Sequence, residues 1–99
     1  MKLTHADNVE PLFSLGHILI TPAAIATLHS AGFSPIDLLL RHVQGDWGEL
    51  DDSDRKQNDR ALEARERLLS AYTLPTMIRI WVITEADRSA TTILLPREY

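Results

Sequence analysis

The stretch Arg41-His-Val-Gln-Gly-Asp-Trp-Gly48 joins a helical first half of the chain to a strand-rich second half. The residues before it have the pattern of helices, whereas the clearest strands follow it. Two glycines flank Asp46 and Trp47, and glycine adopts positive φ easily. We therefore predict that the stretch ends a helix, forms a turn and places Trp47 at the edge of the core. The alternative is a binding surface in which Asp46, Trp47 and His42 lie close together.

Two short helices are predicted before this stretch by the same signals. Thr21-Pro22 and Ser34-Pro35 each place a capping hydroxyl before a proline at the first helical position. Gly32 and Gly45 should end the two helices. The β-branched segment 16–20 predicts a short strand before them. The expected buried residues at helical spacing are Ile25 and Leu28 in the first helix and Ile36, Leu39, Leu40 and Val43 in the second.

The second half begins with an acidic segment, residues 49–54, which predicts the start of a third helix because carboxylates are favoured at helix N-termini. Its spacing does not match a calcium-binding loop. Helix propensity alone continues this helix to Tyr72. The strands downstream need a partner, however, so we predict a break near residues 64–66 and a strand over 67–73. Further strands are predicted at 78–84 and 90–95, with a polar loop between them.

These elements predict an α+β fold: a short N-terminal strand, three helices and then a three-stranded antiparallel β-meander, with the helices packed on one face of the sheet. Residues 1–14 are expected to be an extended arm and residues 15–99 a single domain. The second face of the meander carries Trp81 and Ile83. We expect this face to be covered by the arm or by a second subunit, so a homodimer through Trp81 and Ile83 is a hypothesis.

The composition of the chain argues against several classes of function. The net charge is −4 and there is no cysteine, which argues against a nucleic-acid partner and excludes thiolate metal sites. No two histidines have the spacing of a metal pair, so we expect no metal and no cofactor. Residues 1–10 lack an apolar signal core, and no apolar run approaches the ~20 residues of a membrane span. We expect a cytoplasmic protein without a membrane contact.

The loop Glu85-Ala-Asp-Arg-Ser89 gathers two acids, a base and a hydroxyl at the predicted hairpin tip. One interpretation is a self-satisfied turn, in which Asp87 accepts backbone N–H groups and Arg88 pairs with a carboxylate. The other is a recognition surface. The candidate binding residues are therefore Asp46, Trp47, Glu85, Asp87 and Arg88.

Three segments carry a resemblance to a known group of proteins: Gly45-Asp-Trp-Gly48, Arg67-Leu-Leu-Ser-Ala-Tyr72 and, most specifically, Trp81–Pro96. Together they resemble a family of small bacterial proteins found on plasmids and integrated conjugative elements, sometimes labelled as restriction-system subunits. The family has no established activity, so the resemblance implies no catalytic residues. It implies a β-strand at residues 67–72 and a bacterial, mobile-element setting.

Two functions follow as hypotheses. The first is a non-enzymatic accessory protein of a mobile element that acts by binding another protein. It rests on the absence of a catalytic motif, the acidic balance and the apolar sheet face. The alternative is a small toxin-type ribonuclease, for which His42 would be the base and Arg41 and Arg88 would contact phosphate. The acidic charge opposes this alternative, because RNA binding requires a basic cleft.

Overall fold

A computed structural model describes residues 10–99 of the chain. The three helices are α1 (Pro22–Ala31), α2 (Pro35–Val43) and α3 (Asp52–Ala64). The four strands are β1 (His17–Ile20), β2 (Leu68–Thr73), β3 (Arg79–Thr84) and β4 (Ala90–Leu94), and a 3₁₀ helix (Pro96–Glu98) follows. The predicted α+β class with three helices is confirmed.

The predicted start of α1 at Thr21 and the predicted break near residues 64–66 both agree with the structure. The Thr21 hydroxyl accepts the N–H of Ala24 at the start of α1, and Gly32 ends that helix with φ of 64°. The break after α3 is also confirmed, since Arg65 adopts a left-handed φ of 57° directly after Ala64. Such a residue turns the chain out of the helix. The helix-forming composition of residues 60–72 is thus overridden, and β2 begins at Leu68.

The strands form one mixed sheet in the order β1-β4-β3-β2. β2, β3 and β4 are antiparallel neighbours. β1 lies parallel to β4, with His17 opposite Ala90 and Ile20 opposite Ile93. The prediction of a three-stranded sheet with a short strand before it is wrong in this respect, because β1 is the fourth strand. A four-residue strand carries no signal for its partner or direction, and a parallel partner can lie far along the chain.

The core lies between the helices and one face of the sheet. Alternate strand residues point to the same face, and those of β2, β3 and β4 meet the apolar residues of α1 and α2. This main cluster consists of Ala24, Leu28, Leu38, Tyr72, Leu74, Ile80, Val82, Ile93 and Leu95. A second cluster of Trp47, Ala61 and Leu68 packs α3 against the same face. Trp47 is 5% exposed, which confirms the prediction that it seals the edge of the core.

The buried face of α2 differs from the predicted one. Leu38, His42 and Val43 are its buried residues, whereas Ile36 is 62% exposed. The run Leu38-Leu-Leu40 leaves the helical phase ambiguous, and the polar residue His42 conceals that positions 38 and 42 form the inner stripe. The prediction for α1 is wrong in the same way for Ile25, which is 53% exposed while Ala24 and Leu28 are buried.

The outer edge of β2 is closed by the joint at residues 46–49 and by α3. The Asn58 side chain donates to the carbonyl of Leu69 at 2.7 Å and accepts the Leu69 N–H at 3.2 Å. The backbone of Trp47 and Glu49 bonds to both polar groups of Ala71. Gly48 allows this approach, because a Cβ there would lie 2.1 Å from the Ala71 carbonyl oxygen and its φ is 77°.

The second face of the sheet is covered in part by the chain's own C-terminus. The 3₁₀ helix follows β4, and the ring of Tyr99 meets the ring of Trp81 edge-on at 5.7 Å. Ile83 is only 5% exposed and Trp81 is half-buried. Residues 1–9 of the expected arm lie outside the described residues. Of the remainder, Leu12 bonds through its N–H to the Val43 carbonyl.

Within residues 10–99, no single helix is long and apolar enough to cross a membrane. α1 and α2 pass such a test only as a pair, by length and composition, and they are bent by 104°.

Candidate functional site

His42, the base of the ribonuclease hypothesis, lies at the centre of the candidate site and is completely buried. It reaches from α2 onto the sheet. Its Nδ1 lies 2.6 Å from the Ser70 hydroxyl, and its Nε2 lies 2.9 Å from the Thr84 hydroxyl. Thr84 contacts the Thr91 hydroxyl at 2.7 Å, and Thr91 donates to the Leu15 carbonyl at 2.8 Å. A polar chain thus crosses β2, β3 and β4 beneath α2.

The direction of this chain follows from its end point. A carbonyl oxygen only accepts, so the single proton of Thr91 points to Leu15. Thr84 must then donate to Thr91, and its oxygen accepts from His42 Nε2–H. Nδ1 is left without a proton and accepts from Ser70. The network therefore selects the neutral Nε2–H tautomer of His42, and each of its buried polar atoms has a partner.

Burial, and to a smaller extent the positive charge of Arg88, lower the pKa of His42 to about 3. An imidazolium here would have lost its water and would face a second cation. Two rings also enclose the imidazole: Phe13 at 5.2 Å and Trp47 at 5.7 Å, both edge-on. His42 consequently stays neutral at physiological pH.

The pair of Ser70 Oγ and His42 Nδ1 has the distance of a nucleophile and its base. Both residues are 0% exposed, however, and both partners of the histidine belong to the sheet core. A general base must lie within hydrogen-bond reach of the group whose proton it takes. The pair is closed to solvent in this structure and forms a polar seam between α2 and the sheet.

Arg88, the predicted phosphate contact, is also turned inward and is 8% exposed. Its guanidinium donates to four backbone carbonyls, those of Glu85, Ala86, Glu66 and Ala61, at 2.7 to 3.1 Å. The predicted pairing of Arg88 with a carboxylate is therefore wrong. Arg88 instead joins the hairpin tip to the end of α3, where it adds a donor to the Ala61 carbonyl and reaches the Glu66 carbonyl just beyond the helix. Burial lowers its pKa, and its five N–H donors suit this array.

Arg41 and Asp46 form a salt bridge at the start of the joint, residues 46–49. Arg41 Nε donates to Asp46 Oδ2 at 2.7 Å, and the guanidinium lies 4.5 Å from the centre of the Tyr72 ring. The bond from Arg41 keeps the pKa of Asp46 below its usual value and the pKa of Arg41 above its own. The Tyr72 hydroxyl donates to the Asp46 carbonyl at 2.7 Å. Both charged side chains therefore fix the joint.

The remaining candidates lie at the surface or under the C-terminus. Asp87 accepts the Ser89 N–H at 2.9 Å, as predicted for a self-satisfied turn, and bonds from Ser89 lower its pKa. Glu85 lies 3.7 Å from Arg67. Of the predicted interface residues, Trp81 contacts Tyr99 of the C-terminal segment, and Ile83 is 5% exposed.

The structure does bring the two predicted stretches together. Phe13 is the link: its ring contacts His42 and Trp47, and the guanidinium of Arg88 lies 5.7 Å from its centre. The sequence did not indicate Phe13, Ser70, Thr84 or Thr91 as members of this group. Alternation along the strands places Ser70, Thr84 and Thr91 on the core face, and a polar residue at such a position is the signal that points to a buried network.

Among residues 10–99, no three His, Asp or Glu side chains gather in a way that could hold a metal ion. Comparison of this chain with protein families, curated proteins and solved structures gave no match.

Proposed function

We propose that this chain is a non-enzymatic interaction protein that acts by binding another protein. One observation carries the proposal: the side chains that suit catalysis are used inside the fold, while large apolar side chains stay exposed. His42 and Arg88 are buried, whereas Ile25 and Ile36 are 53% and 62% exposed. Exposed apolar groups that cluster are typical of interaction sites.

The binding surface that we propose is the corner between α1 and α2, here called the helix corner. A pocket of about 210 Å³ opens there, lined by Ile25, Leu28, His29, Phe33 and Pro35. Ile36 follows Pro35 directly. The pocket has an almost entirely apolar lining and suits one apolar side chain of a partner, which is how interface anchors gain their energy. His29 is the polar residue in this lining, and Asp37 follows Ile36 in the sequence.

The resemblance described above supports a bacterial setting for this function, on a plasmid or an integrated conjugative element. An accessory role there requires a partner protein from the element or its host.

A photo-crosslinking amino acid at position 36 tests the proposal in a bacterial host. We expect one dominant protein adduct, which mass spectrometry identifies. Ile25→Asp should abolish this adduct, because it places a charge at the pocket. The same crosslinker at position 56, on the exposed surface of α3, is the matched control and should not give the adduct.

The ribonuclease alternative makes the opposite prediction. Purified protein that cleaves RNA, and loses this activity in His42→Gln while keeping its circular dichroism spectrum, would overturn the proposal. Adducts of equal yield from positions 36 and 56 would contradict the helix corner as the binding surface.

A further inference from the structure

The two edge strands of the sheet, β2 and β1, differ in whether their outward backbone groups have partners. The outer edge of β2 is closed by Asn58 and by the backbone of residues 47–49. β1 forms the other edge. The N–H groups of His17 and Thr21 donate to Ser89 and Ile93, which shows that the odd-numbered residues of this strand bond toward β4. The N–H and C=O groups of Ile18 and Ile20 therefore point outward, and no backbone partner exists for them within residues 10–99.

The β1 edge lacks the usual protection against pairing. Edge strands commonly carry lysine, an inward charge, a proline or a bulge. The strand His17-Ile-Leu-Ile20 has none of these, and Ile18 and Leu19 are 42% and 52% exposed. Only its short length limits pairing. An added strand would satisfy the outward backbone groups and cover both apolar side chains.

An apolar groove runs beside this edge, between the segment before β1 and α2. Its volume is about 520 Å³, and its lining contains no ionisable side chain: Pro11, Phe13, Ser14, Leu15, Gly16, Ile18, Leu40 and Val43. Leu12, 53% exposed, follows Pro11. The groove lies on the same side as the Ile18 side chain, so an added strand would place alternate side chains into it.

A second copy of the chain fits this edge by charge and by symmetry. Each chain carries a net charge of −4, so two copies repel each other except where their contact is uncharged. A two-fold contact places the same patch on both sides, and the β1 edge with its groove is such an uncharged patch. An antiparallel pair centred on Leu19 sets Ile18 opposite Ile20 of the second copy. In this register the outward N–H and C=O groups of both residues bond across the axis.

We propose that β1 is the self-association edge of this protein, at which two copies pair their β1 strands antiparallel about a two-fold axis at Leu19 and form one continuous eight-stranded sheet. The helix corner is made by other residues, so each copy keeps it. Four residues of strand are a small contact, and stable interfaces bury roughly 800 Å² per partner. The groove must therefore contribute, and the dimer depends on concentration.

Sedimentation of the full chain between roughly 1 μM and roughly 1 mM, a range that brackets weak association, tests the proposal. We expect a shift from monomer to dimer. Leu19→Lys should abolish dimerisation, because two lysines would meet at the axis and Leu19 points away from the helices. Ile25→Lys, at an equally exposed residue of α1, is the matched control and should dimerise like the unmodified chain.

Amide hydrogen exchange of the unmodified chain gives a second measurement that needs no variant. The amides of Ile18 and Ile20 should gain protection at the higher concentration, while those of an exposed loop should not. A chain that stays monomeric over the whole range would overturn the proposal. Dimers that persist in Leu19→Lys, or that leave the Ile18 and Ile20 amides unprotected, would also overturn it. A loss of the helix-corner adduct would leave this result unaffected, so the two proposals fail separately.

Discussion

A neutral imidazole enclosed by hydroxyls makes His42 a source of pH-dependent stability. Its pKa in the folded protein is about 3, while histidine in an unfolded chain titrates near 6.5. Between these values the unfolded chain binds a proton that the folded chain does not. The stabilisation is therefore complete above about pH 6.5 and is lost as the pH falls toward 3. We expect the free energy of unfolding to fall by up to roughly 1.4 kcal/mol per pH unit from this group.

Urea unfolding at a series of pH values measures this dependence, and variants isolate the contribution of His42. His42→Gln should have a smaller pH slope between about pH 6.5 and pH 4 than the unmodified chain, because it has no imidazole to titrate. His29→Gln, at an exposed histidine, should keep the full slope. Equal slopes for all three proteins would contradict a buried neutral His42.

Arg88 is the second buried polar residue that we expect to stabilise the fold. Arg88→Lys keeps the charge but removes the planar set of donors, so the carbonyls of Glu66 and Ala86 can lose their donor, whereas those of Ala61 and Glu85 keep a backbone N–H. We expect a loss of about 2 kcal/mol or more in the free energy of unfolding, measured in urea. Arg67→Lys, at a half-exposed arginine that pairs with Glu85, should change it by less than about 1 kcal/mol. Similar losses in both variants would argue against the structural role of Arg88.

Among the secondary-structure elements, β2 depends on the side chain of Asn58. This side chain bonds to the outer edge of β2, where a neighbouring strand would otherwise bond. Asn58→Ala leaves the N–H and C=O of Leu69 unpaired at a half-buried position, which costs about 1–3 kcal/mol. The Leu69 amide should then exchange faster with solvent than in the unmodified chain. Gln57→Ala, one residue earlier on the exposed face of α3, is the control. An unchanged exchange rate at Leu69 would show that Asn58 does not close this edge.

The joint between α2 and α3 depends on Gly48 for space as well as for its backbone angle. Gly32 and Gly48 have φ of 64° and 77°, so alanine at either position costs about 1 kcal/mol of backbone strain. At Gly32 a Cβ meets nothing within 4 Å, whereas at Gly48 it would meet the Ala71 carbonyl at 2.1 Å. We expect Gly48→Ala to destabilise the chain clearly more than Gly32→Ala, by thermal unfolding. Equal losses of thermal stability in the two variants would mean that Gly48 does not lie in close contact with β2.

For the whole molecule, the sequence predicted the elements better than their arrangement. Helix α1 follows from Thr21-Pro22 and Gly32, and β3 from its β-branched residues, because these signals are local. The pairing of β1 with β4 joins residues more than seventy positions apart, and no local pattern encodes it. The same limit applies to Phe13, which connects the joint and the hairpin tip only through the fold.

The candidate site shows why residue type alone is a weak guide to function. His42, Arg41 and Arg88 have the chemistry of a nuclease, and two of them do lie close together. The burial and the partners of His42 and Arg88 depend on the sheet face and on α3, which the sequence does not specify for a single polar residue, whereas Arg41 is exposed. Two of the four carbonyls that hold Arg88, those of Ala61 and Glu66, come within its reach only where α3 ends at Ala64. The sequence did not indicate that His42, Trp47 and Arg88 meet around Phe13, nor that His42 and Arg88 are buried.

We infer that the buried side chains of His42 and Arg88 serve to hold the helices on the sheet. Long-range ¹H–¹⁵N NMR of the histidine side chains tests it most directly, with exposed His29 as the reference in the same spectra. We expect His42 to keep the neutral Nε2–H tautomer, with no proton on Nδ1, from about pH 7 down to about pH 4.5. A His42 ring that becomes doubly protonated near pH 6.5, or that carries its proton on Nδ1, would contradict the buried network.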